Sequence, residues 1–278
     1  MKQYSDLEAT AKKRYGQNFL KERALIDQIV QAMPEDDHIV VEIGPGLGDL
    51  TAALLGARQV TAFEVDRELC VHLRKKFESD LREKRLALVC GDVLEEWKSG
   101  ALMPAPYHLV ANLPYYIGTR IVLQALRDPM CQSLRVMVQK EVAVKFAADA
   151  GERAFSALAV LTQSIGEGEV LFEVPPTAFV PQPKVTSAVL SIHKKRTLDD
   201  PQFEGFLKTA FAQPRKKLIK NLEQRFPKER LRQAFAEAGI LPLARPHEVV
   251  TSAYHHIYTF LMKDAHHGQK PLRHQQQG

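Results

Sequence analysis

Four consecutive residues, Asn112-Leu113-Pro114-Tyr115, follow directly on an apolar run at residues 108–111. The side-chain oxygen of Asn112 and the carbonyl of Leu113 can each accept a hydrogen bond from a planar amine, which localises the nitrogen lone pair and stabilises developing charge. Pro114 has no N–H to compete and stiffens the turn, and Tyr115 offers a face on which a base can stack. The tetrapeptide therefore indicates methyl transfer to a planar amine, either in a nucleic acid or in a glutamine side chain.

A glycine-rich segment, Glu42-Ile43-Gly44-Pro45-Gly46-Leu47-Gly48, follows another apolar run and precedes a predicted helix. Glycines permit a sharp turn and close approach to a ligand, and a helix N-terminus offers unpaired N–H groups. The spacing is G-x-G-x-G, whereas the dinucleotide fingerprint is G-x-G-x-x-G. We expect Gly44 and Gly46 to contact a cofactor, although this spacing alone discriminates weakly between cofactor classes.

Acidic residues end the next two predicted strands. Glu64 comes twenty residues after Gly44, where a carboxylate can accept hydrogen bonds from both hydroxyls of a ribose. Asp92 follows the next strand and can accept a hydrogen bond from an adenine amine. Taken singly, Glu64 could be a solvated strand end and Asp92 a turn residue. Together they favour an adenosyl ligand without phosphate over a dinucleotide, whose pyrophosphate prefers positive charge.

These residues need a scaffold that brings several strand ends together. Between residues 22 and 164, apolar runs that predict strands alternate with helical patterns: strands at 38–43, 59–64, 86–90, 108–111 and 134–138, and helices near 47–56, 66–77, 117–127 and 141–149. Strands that are apolar at successive residues fit a sheet covered on both faces. The pattern predicts an α/β fold with a doubly wound, Rossmann-like sheet, which binds ligands at the carboxyl ends of its strands.

The remainder of the chain divides into three predicted parts. Runs at 170–174 and 185–193 indicate a hairpin at the sheet edge, joined by a rigid proline-rich loop at 175–183. Amphipathic helices follow near 202–213, 215–225, 227–238 and 250–263. We therefore predict a catalytic domain over residues 1–194, a helical domain over 195–264 and a disordered tail over 265–278.

Positive charge is concentrated after the predicted boundary. Residues 194–232 hold twelve Lys or Arg against five Asp or Glu, a net of +7, compared with +5 for the whole chain. Such a charge favours an acidic partner and says nothing about fold. We expect Arg215, Lys216, Lys217 and Lys220 to bind RNA phosphates, the alternative being a solvated helical face.

The composition narrows the class of protein. With 278 residues and 45% hydrophobic content, the chain can bury a sizeable core. Cys70, Cys90 and Cys131 are widely spaced and form no C-x-x-C pair, so we expect buried thiols, with neither a disulfide framework nor a metal site. The N-terminus lacks the apolar run of a signal peptide, and no window approaches the roughly 18 apolar residues of a membrane span. A cytoplasmic location and no membrane partner are expected.

Three longer segments carry a resemblance to a known family. Residues 14–20 read R-Y-G-Q-N-F-L, residues 139–142 read Q-K-E-V, and residues 179–189 read F-V-P-Q-P-K-V-T-S-A-V. With the tetrapeptide, they resemble the ribosomal RNA adenine N6,N6-dimethyltransferase family, specifically its bacterial small-subunit members associated with kasugamycin sensitivity. The similarity covers Lys12 to about Phe260.

The resemblance implies a cofactor, a substrate and site residues. The cofactor would be S-adenosylmethionine, with no metal, and its contacts carry over to Asn18, Leu20, Gly44, Glu64, Asp92 and Asn112. Phe179 would be a second aromatic wall of an adenine slot, opposite Tyr115. The substrate would be two neighbouring adenosines near the 3′ end of 16S ribosomal RNA in an immature small subunit, each receiving two methyl groups. We expect a monomer, because no exposed apolar stripe is evident.

Two departures and three rival functions remain. Arg120 stands where the family usually has Pro, and Gln213-Pro214-Arg215-Lys216-Lys217 replaces a Q-R-R-K run, which affects how the basic helix would meet RNA. A large-subunit dimethyltransferase shares the fold and chemistry, although Leu113 and the 179–189 segment favour the small-subunit type. A dehydrogenase is disfavoured by the glycine spacing. A non-catalytic RNA-binding or assembly factor stays open.

Overall fold

The strands of this protein form where the sequence places short apolar runs. The computed structural model describes residues 16–98 and 100–263. Its strands are β1 (Phe19–Leu20), β2 (Ile39–Ile43), β3 (Val60–Glu64), β4 (Leu86–Cys90), β5 (Tyr107–Asn112), β6 (Cys131–Gln139), β7 (Gly166–Val174), β8 (Phe179–Val180) and β9 (Ser187–Lys194).

Seven of these strands form one sheet in the order β4-β3-β2-β5-β6-β9-β7. The pairs from β4 to β6 are parallel, whereas β9 runs antiparallel to β6 and β7 antiparallel to β9. The predicted doubly wound α/β fold is therefore confirmed, and the predicted hairpin is present with β7 at the edge. The proline-rich connection is more structured than a loop, because β8 within it pairs with β1 in a separate two-stranded sheet.

Helices connect the strands and follow β9. They are α1 (Arg23–Gln31), α2 (Asp49–Leu55), α3 (Arg67–Lys76), α4 (Glu78–Arg82), α5 (Val93–Glu96), α6 (Gly118–Arg127), α7 (Lys140–Ala147), α8 (Ala157–Ile165), α9 (Pro201–Ala210), α10 (Leu218–Leu222), α11 (Lys228–Glu237) and α12 (Thr251–Lys263). The sequence-based prediction lacks four of these helices: α1, the short α4 and α5, and α8. None of the helices in the described ranges has the length and apolar character of a membrane span.

The chain forms two units, which differ in extent from the predicted domains. The first contains the main sheet and comprises the described residues up to 147 together with 165–199. The second is helical and comprises 148–164 together with the described residues from 200 to 263. Residues 148–164 therefore group with the helical unit, although the sequence predicts them within the first domain. The predicted disordered tail lies outside the described residues.

The core of the first unit lies on the two faces of the sheet. Val40, Val110 and Val189 are fully buried and belong to one apolar cluster with residues of α1, α2 and α3. The cysteines differ from the prediction, since Cys70 and Cys90 form a disulfide with a Cα–Cα distance of 6.1 Å, whereas Cys131 is a buried free thiol. The pair joins α3 to the end of β4, and only the fold brings these two positions together.

Candidate active site

A cavity of about 300 Å³ lies at the carboxyl ends of the parallel strands. Residues from the N-terminal segment, the glycine loop, the ends of β3 and β4, and the tetrapeptide after β5 line it. It contains all of the predicted cofactor contacts: Asn18, Leu20, Gly44, Gly46, Glu64, Asp92 and Asn112. It also contains Leu113, Pro114 and Tyr115 of the predicted catalytic set. Sequence-distant residues thus converge at the edge where doubly wound folds bind ligands.

The glycine loop needs its glycines for conformation and for space. Gly44, Gly46 and Gly48 have φ values of 71°, 61° and 80°, a region that side chains strongly disfavour. A Cβ at Gly46 would lie 2.9 Å from the Phe19 ring. The ring of Pro114 lies 3.8 Å from the Cβ position of Gly44, so the tetrapeptide contacts the loop.

Glu64 ties the glycine loop to the end of β3. Its Oε2 accepts a 3.2 Å hydrogen bond from the Gly46 N–H, and its Oε1 accepts a 2.8 Å bond from the Asp66 N–H. The side chain is 4% exposed, and this burial raises the pKa of Glu64 to about 7. Each carboxylate oxygen has a second lone pair, so Glu64 can still accept hydrogen bonds from ribose hydroxyls.

Asp92 is exposed and caps the helix that follows β4. Its Oδ1 accepts a 2.9 Å hydrogen bond from the Leu94 N–H. Asp92 is therefore a turn residue that caps a helix, which was the alternative to a cofactor contact. The two roles are compatible, because Asp92 also lines the cavity. A single side chain here has both roles available to it.

The N-terminal segment closes one side of the cavity. Gln17 donates a 3.0 Å hydrogen bond from Nε2 to Asp66 Oδ2, and Asn18 donates from Nδ2 to the Gly16 carbonyl. Pairing of β1 with β8 fixes the next two residues. Arg14 and Tyr15 of the R-Y-G-Q-N-F-L segment lie outside the described residues.

Asn112 is held in one orientation by that segment. Its Nδ2 donates a 2.9 Å hydrogen bond to the Asn18 carbonyl. Because the amide nitrogen is occupied, Oδ1 is the atom available as an acceptor. The turn after it is fixed by Leu113 N–H donating to the Met137 carbonyl and by Gly118 N–H donating to the Pro114 carbonyl.

Tyr115 lies beside Asn112 and has a fixed ring. Its hydroxyl shares a 2.7 Å hydrogen bond with Ser187 Oγ, and Ser187 is fully buried at the start of β9. Burial raises the pKa of the Tyr115 hydroxyl above its usual value. The P-K-V-x-S segment therefore reaches the tetrapeptide through Ser187.

Comparisons with known proteins bear on this geometry. The family model for ribosomal RNA adenine dimethylase matches residues 8–263. The chain is 50% identical over 248 residues to the ribosomal RNA small subunit methyltransferase A of Sulfurimonas denitrificans, which covers 89% of this chain and 92% of the relative. The chain belongs to the ribosomal RNA adenine dimethylase family. The protein of the same name from Helicobacter hepaticus is 45% identical over 272 residues, covering 95% of this dimethylase and 96% of the relative.

Solved structures place the dimethylase among methyltransferases. A 23S rRNA methyltransferase, ErmE, matches with a TM-score of 0.69 and 28% identity, covering 88% of this chain and 100% of that one. A dimethyladenosine transferase from Plasmodium falciparum shares the fold with a TM-score of 0.74 and 22% identity, covering 90% and 98%. The dimethylase is therefore an S-adenosylmethionine-dependent methyltransferase, which excludes a dehydrogenase.

Phe179 is the one predicted catalytic residue that the structure places elsewhere. It is 1% exposed, packs in the core cluster and pairs with Leu20 across β1 and β8. Among the described residues that line the cavity, Phe179 is not present. In this structure Phe179 supports the N-terminal segment, and the expected stacking role does not follow from its position.

Among the cavity-lining residues that the sequence-based prediction did not include, three could bear on the chemistry. Tyr116 is 60% exposed and adjoins the tetrapeptide, and Val65 is 40% exposed beside Glu64. Glu42 lines the cavity, accepts a 2.6 Å hydrogen bond from Thr51, and has its pKa raised to about 8 by burial. A carboxylate inside an otherwise apolar strand was a signal for Glu42. Exposed apolar residues carry no such signal in sequence.

The predicted RNA-binding residues of the dimethylase lie in its helical unit. Arg215, Lys216 and Lys217 are exposed and precede α10, although a helix is predicted from 215. The helix begins later because Lys216 N–H donates to the Gln213 carbonyl in a turn, and the backbone of Lys217 is non-helical, with a ψ of 140°. Lys220 lies on α10 and forms a 2.7 Å ion pair with Glu223.

Proposed function

We propose that this dimethylase transfers methyl groups from S-adenosylmethionine to N6 of two adjacent adenosines near the 3′ end of 16S ribosomal RNA, giving N6,N6-dimethyladenosine. The observation that carries the proposal is the hydrogen bond from Asn112 Nδ2 to the Asn18 carbonyl, within the cavity that holds the glycine loop. It leaves Asn112 Oδ1 to accept a hydrogen from an exocyclic amine. Together with the Leu113 carbonyl it provides two acceptors, which suit the two hydrogens of an exocyclic amine, whereas a hydroxyl has only one hydrogen to donate.

The side chains of the tetrapeptide would position the amine. When bound, S-adenosylmethionine supplies a methyl group on a positively charged sulfur. Asn112 Oδ1 and the Leu113 carbonyl accept the two amine hydrogens, which localises the lone pair on N6. Nitrogen bonds to the methyl carbon as the carbon–sulfur bond breaks with its electrons on sulfur, and one N–H proton passes to water.

Tyr115 would hold the base during transfer. A flipped adenine can stack on its ring, a contact worth roughly 1–3 kcal/mol in single-strand binders. The hydrogen bond to Ser187 restrains the position of the hydroxyl and therefore the rotation of the side chain about χ1. Positioning and electrostatics supply the catalysis, and no dedicated base is needed.

Dimethylation places a second demand on the site. After one methyl transfer N6 keeps a single hydrogen, so only one of the two acceptors can be satisfied in the second round. The slot must accept a rotated, bulkier amine. The exposed Tyr116 face beside the tetrapeptide offers room of this kind.

The substrate is ribosomal RNA, and the small-subunit choice rests on relatives. The two curated relatives named above are called small subunit methyltransferases at 45–50% identity, whereas the solved 23S enzyme is 28% identical. The exposed basic segment, Arg215 to Lys217, suits a shaped RNA held by its phosphates. We further propose an immature small subunit as the form bound, a monomeric enzyme and a cytoplasmic site of action.

Transfer of labelled methyl groups tests the proposal. Intact protein with labelled S-adenosylmethionine should label RNA of unmodified small subunits and leave RNA of large subunits unlabelled. Asn112→Ala protein serves as the control for contaminating activities. Label on large-subunit RNA, or binding to small subunits without any transfer, would overturn the proposal, the second result indicating an assembly factor.

A further inference from the structure

Asp36, His38 and His108 lie together at the amino ends of the strands, opposite the cofactor cavity. His38 immediately precedes β2, and His108 is the second residue of β5. The candidate ligand atoms of the three residues all lie within 4.8 Å of one another. The sequence predicted no metal site here, because the two histidines are seventy residues apart and only the pairing of β2 with β5 unites them.

The distances within this Asp36–His38–His108 cluster suit a small ion. His108 Nε2 lies 2.9 Å from both carboxylate oxygens of Asp36, and His38 Nδ1 lies 3.4 Å from Asp36 Oδ2. Ligands bonded at 2.0–2.1 Å to a tetrahedral zinc ion lie about 3.3 Å apart. The carboxylate is therefore already near the required spacing from both imidazoles.

His38 adds an unsatisfied atom. Its Nδ1 is buried and has no hydrogen-bond partner within the part of the chain that the structure describes. The distance to Asp36 Oδ2 lies within ion-pair range, but the geometry is not that of a hydrogen bond. A buried polar atom without a partner is costly, and a bound cation would satisfy it.

His108 has the outer partner that metal-binding histidines usually have. Its Nδ1 lies 2.7 Å from Ser133 Oγ on β6, and the imidazole is 3% exposed. Without an ion, Nε2–H donates to Asp36. With an ion bound, Nδ1–H would donate to Ser133 and Nε2 would present its lone pair to the ion. The order Ser133–His108–Asp36 also matches a hydrolase triad, but Ser133 is fully buried, so no substrate carbonyl can reach its hydroxyl.

We propose that Asp36, His38 Nδ1 and His108 Nε2 bind one zinc ion, with water as the fourth ligand. Imidazole and carboxylate donors in a four-coordinate arrangement suit Zn²⁺ among the common ions. Side-chain exposures of 37% for Asp36 and 42% for His38 leave the ion a path from solvent. The ion would fasten the segment before β2 to β5, and through Ser133 to β6, without taking part in methyl transfer.

Zinc titration of the full-length protein tests this site. His266, His267 and His274 are first replaced by glutamine, so that the tail cannot bind the metal. Zn²⁺ in competition with a chromogenic chelator should then show one tight equivalent, and Co²⁺ should give the visible absorption of four-coordinate cobalt. His38→Gln and Asp36→Asn should abolish this equivalent, and Ser133→Ala should weaken it about 10- to 100-fold. His193→Gln, an exposed histidine outside the cluster, should leave it unchanged.

Thermal unfolding gives a second readout. Zn²⁺ should raise the Tm of the parent protein and leave the Tm of the His38→Gln variant unchanged, with circular dichroism confirming that this variant folds. No saturable zinc binding, or equal affinity in His38→Gln, would overturn the proposed zinc site. Loss of methyl transfer on chelation would contradict the purely structural role.

Discussion

The side-chain amide of Asn112 donates a 2.9 Å hydrogen bond to the backbone carbonyl of Asn18, which joins the tetrapeptide to the N-terminal segment. Asn112→Ala removes the acceptor that this bond orients. We expect methyl transfer to fall by about 100- to 1,000-fold, as on loss of one preorganised contact in other enzymes. Cofactor affinity should fall only about fivefold, the equivalent of one neutral hydrogen bond. Single-turnover rates and calorimetric binding separate the two quantities.

Asn18→Ala is the matched variant. It keeps the backbone carbonyl that Asn112 uses, so it should weaken cofactor binding more than it slows transfer at saturating cofactor. Equal losses of rate in the two variants would contradict the assigned role of Asn112.

Two substitutions of Tyr115 distinguish the contribution of ring stacking from that of the hydroxyl hydrogen bond. Tyr115→Phe keeps the ring and should reduce transfer about fivefold, whereas Tyr115→Ala should reduce it about 10- to 100-fold through lost stacking. Ser187→Ala should match Tyr115→Phe, and the double variant should cost no more than either single change, because both remove one hydrogen bond. Additive losses would show that Ser187 does not act through Tyr115.

Gly46→Ala should damage both stability and cofactor binding. The residue has a φ of 61°, and its new Cβ would lie 2.9 Å from the Phe19 ring. We expect a loss of at least about 1–2 kcal/mol in the free energy of unfolding, measured with urea. Gly205→Ala is the control of opposite sign, because Gly205 lies inside α9 and alanine there should stabilise by about 0.5–1 kcal/mol.

The raised pKa of Glu64 predicts how the free energy of unfolding changes with pH. Burial raises its pKa from 4.5 to about 7, so the folded cofactor-free protein keeps a proton that the unfolded chain releases near pH 4.5. The free energy of unfolding should therefore fall as the pH rises from 4.5 to 7 and should level off above it. Glu42 acts in the same direction, up to about pH 8. Glu64→Gln should flatten the Glu64 part of this decline.

Cofactor affinity should change in the opposite sense. The ionised carboxylate is the better acceptor for ribose hydroxyls, so affinity should rise with a midpoint near pH 7 in the wild type. Glu64→Gln should bind weakly at every pH. Calorimetry across the range checks this, and a wild-type affinity independent of pH would contradict the assigned contact.

The basic segment predicts a salt dependence. Replacing Arg215, Lys216 and Lys217 by glutamine should lower the slope of log affinity against log salt by about 2–3 units, or roughly 0.7–0.9 per phosphate contact. Lys220→Gln should have a smaller effect because Lys220 pairs with Glu223. Filter binding to small-subunit RNA measures both, and S-adenosylmethionine affinity should stay constant.

The fold and the cofactor side of the cavity were predictable because both depend on local patterns. Short, continuously apolar runs indicate buried parallel strands. Glu64 and Asn112 follow such runs directly, so both are expected at the carboxyl ends of strands. The bounds were less accurate at the ends of elements. Arg215 to Lys217 are predicted to be helical but lie in a turn before α10.

Features that depend on the meeting of distant segments were not predictable. The Cys70–Cys90 disulfide, the pairing of Leu20 with Phe179, and the His38–His108 cluster each join elements whose contact is set by sheet order. Phe179 shows the difference most clearly. Its motif suggested a cavity wall, whereas strand pairing places its ring in the core.

Mass spectrometry of digested 16S RNA, after unmodified small subunits react with the intact protein and S-adenosylmethionine, tests the central claim most directly. It determines the base, the position and the number of methyl groups together. We predict N6,N6-dimethyladenosine at two adjacent positions near the 3′ end, and about 100- to 1,000-fold slower formation of it with the Asn112→Ala variant. Modification of another base, of a single distant adenosine, or of large-subunit RNA instead would contradict the account.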